Sequence, residues 1–109
     1  MHTDEKLILQ VIQNFLSNAF HYTKAGDSIE IAIHHDHLEV RDSGQGIKKE
    51  DLPYIFDRYY KINQEHRRYA YGTGIGLAIA KHNLDLLHLK YGVESKENEG
   101  SLFWIKLVL

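Results

Sequence analysis

Gly72-Thr73-Gly74-Ile75-Gly76-Leu77-Ala78 sets three glycines at alternate positions directly ahead of an apolar-periodic run. Glycines so spaced allow close backbone approach to something bulky and anionic, and a helix that follows offers its positive N-terminal end to that charge. A phosphate answers that description. Glycine runs also mark plain loops, so the stretch takes its meaning from what surrounds it.

Downstream, residues 75–89 read as a helix with Leu77, Ala80, Leu84 and Leu87 on a core-facing arc. Residues 91–96 and 101–107 then read as two strands around the turn Asn98-Glu99-Gly100. Upstream, residues 57–71 are aromatic and basic with poor periodicity, carrying Arg58, Tyr59, Tyr60, Lys61, Arg67 and Arg68. Ending on Gly72, this segment is predicted to be a mobile flap whose cations meet phosphate oxygens; a solvated loop is the plainer alternative. Residues 48–56, with Pro53 in a first turn, are predicted to form a short helix.

The first half of the chain completes the pattern. Asp4 is the expected N-cap of a helix over residues 5–22, with Ile8, Ile12, Phe15 and Ala19 along one stripe and Leu9, Leu16 and Phe20 along another. Gln10, Gln13, Ser17 and His21 share the wet face, whereas Asn18 projects into the apolar sector with Asn14 one turn earlier at its edge. An amide in an apolar sector needs partners. Two at i, i+4 make a polar ladder suited to ligating something, although bonds to a neighbouring loop would also satisfy them. Residues 28–34 alternate, with Ile29, Ile31 and Ile33 on one face. Leu38 and Val40 continue the alternation after a bend at His35-Asp36, and Asp42-Ser43-Gly44-Gln45-Gly46-Ile47 ends the hairpin. Asp42 is either a turn former or a hydrogen-bond acceptor for a ligand, with Gly44 and Gly46 leaving room for a flat ring.

At 109 residues the chain fits one domain, residues 1–109, without repeats or linkers. Its 43% hydrophobic and 26% charged composition is that of an ordinary globular protein, and a net charge of -2 gives no reason to expect nucleic acid or a membrane surface as partner. No apolar run approaches the roughly 20 residues of a spanning helix. With no cysteine there are no disulfides or thiolate metal sites, and the eight histidines are scattered or gathered near the hairpin bend. Helix, hairpin, short helix, flap, helix and hairpin in this order predict an α/β two-layer sandwich, with helices on one face of a mixed, largely antiparallel sheet.

Four stretches in fixed order, the Asn14/Asn18 helix, Asp42 to Gly46, Ile55-Phe56-Asp57-Arg58-Tyr59-Tyr60-Lys61, and Gly72 to Leu77, closely resemble the N, G1, F and G2 boxes of the sensor histidine kinase ATP-binding domain. That family lies within the gyrase, chaperone, histidine kinase and mismatch-repair ATPase superfamily. The resemblance implies a Bergerat-type fold binding ATP and Mg²⁺. It implies that Asn18 ligates Mg²⁺, that Asn14 faces the phosphate and metal region, that His21 and Lys61 are basic groups near the phosphates, and that Tyr22 borders the nucleotide. Asp42 would accept the adenine amino hydrogen bond, with Gly44 beside it and with Gly46 and Thr73 holding a water. Ile47, Phe56 and Leu77 would supply apolar walls, and Gly72, Gly74 and Gly76 the flap hinge and the approach to the phosphates. The implied chemistry is phosphoryl transfer from ATP to a histidine. Asn14 cannot abstract a proton, and the related hydrolytic ATPases carry glutamate there, so the resemblance favours a kinase over an ATPase or a regulatory module without transfer activity.

The resemblance further implies a soluble cytoplasmic domain of a membrane-anchored bacterial sensor. Its partners would be the dimerisation and phosphoacceptor domain and, downstream, a response regulator. The resemblance places the phosphoacceptor histidine on a domain outside these 109 residues, and no histidine here sits in an acceptor context, so this stretch is expected to bind Mg-ATP but not to complete autophosphorylation alone. The strand that commonly precedes such a module is also absent, which predicts one exposed sheet edge. His88 to Ser95 replaces the commoner glycine-containing turn.

Overall fold

The computed structural model describes residues 2–57 and 76–107. Helix α1 (His2–His21) is followed by strands β1 (Ile29–His34) and β2 (His37–Asp42), a 3-10 turn at Leu52–Tyr54, helix α2 (Gly76–Leu87), and strands β3 (Tyr91–Lys96) and β4 (Gly100–Lys106). The strands form one sheet in the order β1-β2-β4-β3, antiparallel at every pairing among the described residues. The expected sandwich is present, and its sheet is simpler than the mixed one anticipated.

Register follows from the alternation. Ile31 pairs with Val40 and Ile33 with Leu38, so a two-residue turn closes the hairpin at His35, which takes a left-handed φ of 54°, and Asp36. On β2, Leu38, Val40 and Asp42 face the helix layer, where Phe103 and Ile105 of β4 join them. Val11, Phe15 and Ala19 of α1 and Ala80 and Leu84 of α2 close the core from above. At its centre the rings of Phe15 and Phe103 lie 5.1 Å apart, tilted by 42°. Burial of such side chains contributes about 1.5–3 kcal/mol each.

Several local expectations change. Helix α1 already runs from His2, which places Asp4 inside the helix and not at its cap. The second stripe of α1 is buried only in part: Leu16 packs against the core, whereas Leu9 and Phe20 are 56% and 68% exposed. Ile31 and Ile33 of β1 likewise share the face of Val40 and Leu38 yet stay 48% and 65% exposed. Both facts have one cause. The two helices lie over β2 and β4, and of the helix-side face of the edge strand β1 only Ile29 packs against the core.

The predicted short helix over 48–56 contracts to a 3-10 turn within consecutive i, i+3 turns, in which Tyr54 N–H donates to Asp51 O at 2.9 Å and Asp57 N–H to Tyr54 O at 2.9 Å. Pro53 has no N–H to donate and disfavours α geometry in the residue before it, so an α-helix does not propagate. Helix α2 stops at Leu87, two residues before the predicted end, because His88 adopts a left-handed φ of 59° and Leu89 N–H returns to Leu84 O at 3.1 Å.

Candidate functional site: a carboxylate, an asparagine ladder and the start of α2

Strand alternation delivers Asp42 to the helix side at the last position of β2, where it is 4% exposed. Its Oδ1 accepts the N–H of Gly44 at 2.9 Å. Burial pushes the carboxyl above its ordinary value of 3.8, and the charge of Asp27 adds to this, against the opposing backbone N–H groups of Gly44 and Ser101.

The loop after Asp42 is held on two sides. Gln45 N–H donates to Tyr22 O at 3.1 Å, docking the loop onto the end of α1. Asn98 N–H donates to Gln45 O at 2.7 Å, and Ile47 N–H to Ser95 Oγ at 2.7 Å, docking it onto the β3–β4 turn. This explains the glycines differently from the sequence reading. A Cβ on Gly44 would strike the Tyr22 carbonyl, and one on Gly46, whose φ is +71°, would strike that of Lys96. The side-chain directions at both positions are filled by the protein's own backbone, so loop docking by itself already requires glycine at both.

Along α1 the order of groups is fixed by helix geometry. Tyr22 N–H donates to Asn18 O at 3.1 Å, and Asn14 lies one turn further from the loop. Both asparagines are half-buried. The Nδ2 of Asn14 is fully buried and has no hydrogen-bond partner among the described residues, while its Oδ1 lies 3.5 Å from where a Cβ on Gly76 would stand. Gly76 opens α2, so it is the oxygen side of the Asn14 amide that lies against the start of that helix, where the positive helix end suits an acceptor. From Tyr22 to Asn14 the rise is about 12 Å. A ligand lying along α1 thus finds a buried carboxylate at one end and an unsatisfied donor at the other.

The remaining predicted residues are placed as follows. His21 is exposed in the last turn of α1, and partial burial lowers its pKa, so it is neutral at pH 7 and carries no standing positive charge. Tyr22 and Leu77 are partly buried against the core. Ile47 is 2% exposed and belongs to the core itself. Phe56 packs edge-on against Tyr91 and Phe103, with centroids 5.3 and 6.1 Å away. Lys61, Gly72, Thr73 and Gly74 lie outside the described residues, as does the predicted flap beyond Asp57.

Four contributors were not singled out from sequence. Ser95 accepts the Ile47 N–H, donates to Gly100 O at 3.0 Å and lies 2.8 Å from Ser101 Oγ. Gly100, with φ of +114°, packs where a Cβ would strike the Asp42 carbonyl. Ser95 and Ser101 are register partners, and no local pattern announces a cross-strand pair before the register is known. Asn83 of α2 is different. It is 3% exposed and falls on the stripe of Ala80, Leu84 and Leu87, so helical periodicity could have found it.

Residues 3–109 match the family model described as histidine kinase-, DNA gyrase B- and HSP90-like ATPase. The sensor protein SrrB of Staphylococcus aureus is 39% identical over 102 residues, covering 90% of this chain and 18% of SrrB. The chain thus spans under a fifth of that relative's length. The catalytic domain of histidine kinase ThkA superposes with a TM-score of 0.73 at 26% identity, covering 94% of this chain and 67% of that one. Full-length ShkA, solved in complex with AMPPNP, superposes with a TM-score of 0.72 at 24% identity, over 93% of this chain and 21% of ShkA. Carboxylate, asparagine ladder and two-helix sandwich therefore sit in a chain that belongs to the histidine kinase-, DNA gyrase B- and HSP90-like ATPase family.

Proposed function

We propose that the chain is the ATP-binding catalytic domain of a two-component sensor histidine kinase, with adenine at Asp42 and the phosphates beside Asn14, Asn18 and the start of α2. The observation that carries this reading is the buried Asn14 amide, its Nδ2 without a partner among the described residues and its Oδ1 beside Gly76, on the same helix whose end holds the Asp42 loop. Asp42 accepts the exocyclic amino hydrogen of adenine, which selects the base. Asn14 donates to a phosphate oxygen or to a water. The N-terminal amides of α2 add donors to the same oxygens.

Mg²⁺ fits this donor set as an ion held jointly with the nucleotide. The amide oxygen of Asn18 is a hard ligand, and no group of three histidines or carboxylates that could hold a metal occurs among the described residues. Phosphate and water would fill the remaining positions. When bound, the ion neutralises phosphate charge. His21, neutral in the nucleotide-free protein, gains a proton more readily beside phosphate, whereas Lys61 supplies a permanent charge.

The γ-phosphoryl group passes to a histidine on a separate dimerisation and phosphoacceptor domain, with a response regulator as the later receiver, on the cytoplasmic side. Asn14 is no base, and a neutral imidazole acceptor requires none. Positioning and charge then account for the rate.

ATP-analogue binding with and without Mg²⁺, compared between wild type and Asp42→Ala, tests the site. Loss of the charge-assisted bond, about 1.5–3 kcal/mol, weakens binding about 10- to 150-fold. Unchanged affinity in a folded variant contradicts the assignment. Labelled ATP and a matching phosphoacceptor domain test the transfer, and nucleotide binding without phosphohistidine rejects it.

A further inference from the structure

Asn83 lies in α2, 3% exposed, on the face that packs against α1. Its Nδ2 donates to the backbone carbonyl of Leu7 at 3.2 Å and to Oε1 of Gln10 at 2.8 Å. Both amide hydrogens of this group are therefore spent on α1. Leu7 precedes Asn14 by two helical turns, and Asn83 follows Gly76 by two turns, so the two helices run antiparallel with matched offsets. The Asn83 contact and the Asn14–Gly76 contact are the two ends of one helix–helix seam, about 10 Å apart along the axis.

Between those ends the seam is apolar, with Val11 and Ala80 fully buried. Apolar packing is non-directional, and a slide by one turn, about 5.4 Å, returns a similar ridge to a similar groove. A buried amide is directional. Any slide strands its two hydrogens away from water and from their acceptors, which is costly, and a single buried asparagine can specify helix register in this way.

We propose that Asn83 is a positioning residue, which locks α2 in axial register with α1 and so sets Gly76 against the Asn14 amide. Its consequence for nucleotide rests on the site reading above. The part of the ligand that depends on the lock is the polyphosphate, which meets Asn14 and the start of α2. Adenine, held by the Asp42 loop on the opposite end of α1, does not depend on it.

Asn83→Leu keeps the volume and removes the amide. Leu7 O retains its intrahelical bond and the exposed Gln10 turns to water, so the fold is expected to survive with equal or higher thermal stability. In the nucleotide-free 109-residue chain, the Gly76 amide and Asn14 side-chain NH₂ resonances should shift or broaden while those of Gly44 and Gly100 stay in place. In binding, the preference for ATP over adenosine should fall at least about fivefold with adenosine affinity unchanged. A folded Asn83→Leu that keeps both the resonances and the preference overturns the proposal, and so does one that is merely less stable.

If Asn83→Leu does not fold, Gln10→Ala removes one acceptor at an exposed position. It should move the same resonances by less, and unmoved resonances overturn the lock. Should wild type show no preference for ATP over adenosine, the site reading fails instead, and the nucleotide-free resonances still decide the register.

Discussion

Ser95→Ala isolates the tie between the β3–β4 hairpin and the loop that follows Asp42. The hydroxyl accepts the N–H of Ile47 at 2.7 Å, and Ile47 is 2% exposed, so water cannot replace the lost acceptor. Ser95 also donates to Gly100 O at 3.0 Å or to Ser101 Oγ at 2.8 Å, and alanine removes that bond too. Leaving a buried amide unsatisfied costs about 1–3 kcal/mol. Taking about 2 kcal/mol, and the usual sensitivity of a domain near this length, Tm should fall by about 8–10 °C. Thermal melting by circular dichroism measures this, with Ser28→Ala as the control. The Ser28 hydroxyl is exposed and 3.3 Å from Ser43 Oγ, so its loss should change stability by no more than about 0.5 kcal/mol. Hydrogen exchange gives the local readout: the Ile47 amide should lose protection in Ser95→Ala and keep it in Ser28→Ala. A Ser95→Ala melt within about 1 °C of wild type, with Ile47 still protected, would refute the reasoning.

Gly46→Ala should cost about 3 kcal/mol or more, since it combines left-handed strain with a clash against the Lys96 carbonyl, whereas Gly26→Ala, with φ of +97° and nothing within 4 Å, should cost only about 1 kcal/mol; urea midpoints compare the two. Gly92→Ala would place a Cβ 2.6 Å from Cζ2 of Trp104, displacing an indole that also lies against the His37 ring, 5.3 Å away between centroids. A shift in tryptophan emission with unchanged adenosine affinity is expected, and an unchanged spectrum rejects the clash. Burial raises the Asp42 carboxyl above 3.8, so its ionisation opposes folding; the stability withheld at neutral pH is regained as pH falls through the raised value. Asp42→Asn should remove that component of the pH dependence. Adenosine affinity should show the opposite trend, falling as the carboxylate is protonated, and calorimetric titrations across that range would expose a flat profile.

Much of this was legible in residue order. The 3.6-residue period of residues 5–22, the alternation of Ile29, Ile31 and Ile33 against Leu38 and Val40, and the turn at His35-Asp36 are local properties, and the structure reproduces them. Asn14 and Asn18 stood out because an amide in an apolar sector is anomalous wherever the helix packs. The short helix failed on local grounds as well: Pro53 removes a donor, and the turn that remains is 3-10.

Other features depend on which surfaces meet. Two apolar stripes were readable on α1, yet Phe15 on one is fully buried and Phe20 on the other is 68% exposed, because α2 and the sheet cover only part of the helix. Gly44 and Gly46 were visible as glycines, but the carbonyls of Tyr22 and Lys96 that require them are distant in sequence. Ser95 became a clamp only once β3 and β4 paired in a particular register.

The sequence by itself determined the kind and order of the chemical groups: a carboxylate at a strand end, Asp42, an amide ladder at Asn14 and Asn18, and glycines ahead of a helix. Side-chain type and backbone period are properties of neighbouring residues, so they survive without a fold. Only the tertiary structure decided that the Asn14 Nδ2 has no partner among the described residues, that Gly76 lies beside the Asn14 Oδ1, and that Asn83 ties the same two helices two turns away. Those facts are distances between residues more than sixty positions apart, and packing alone sets them.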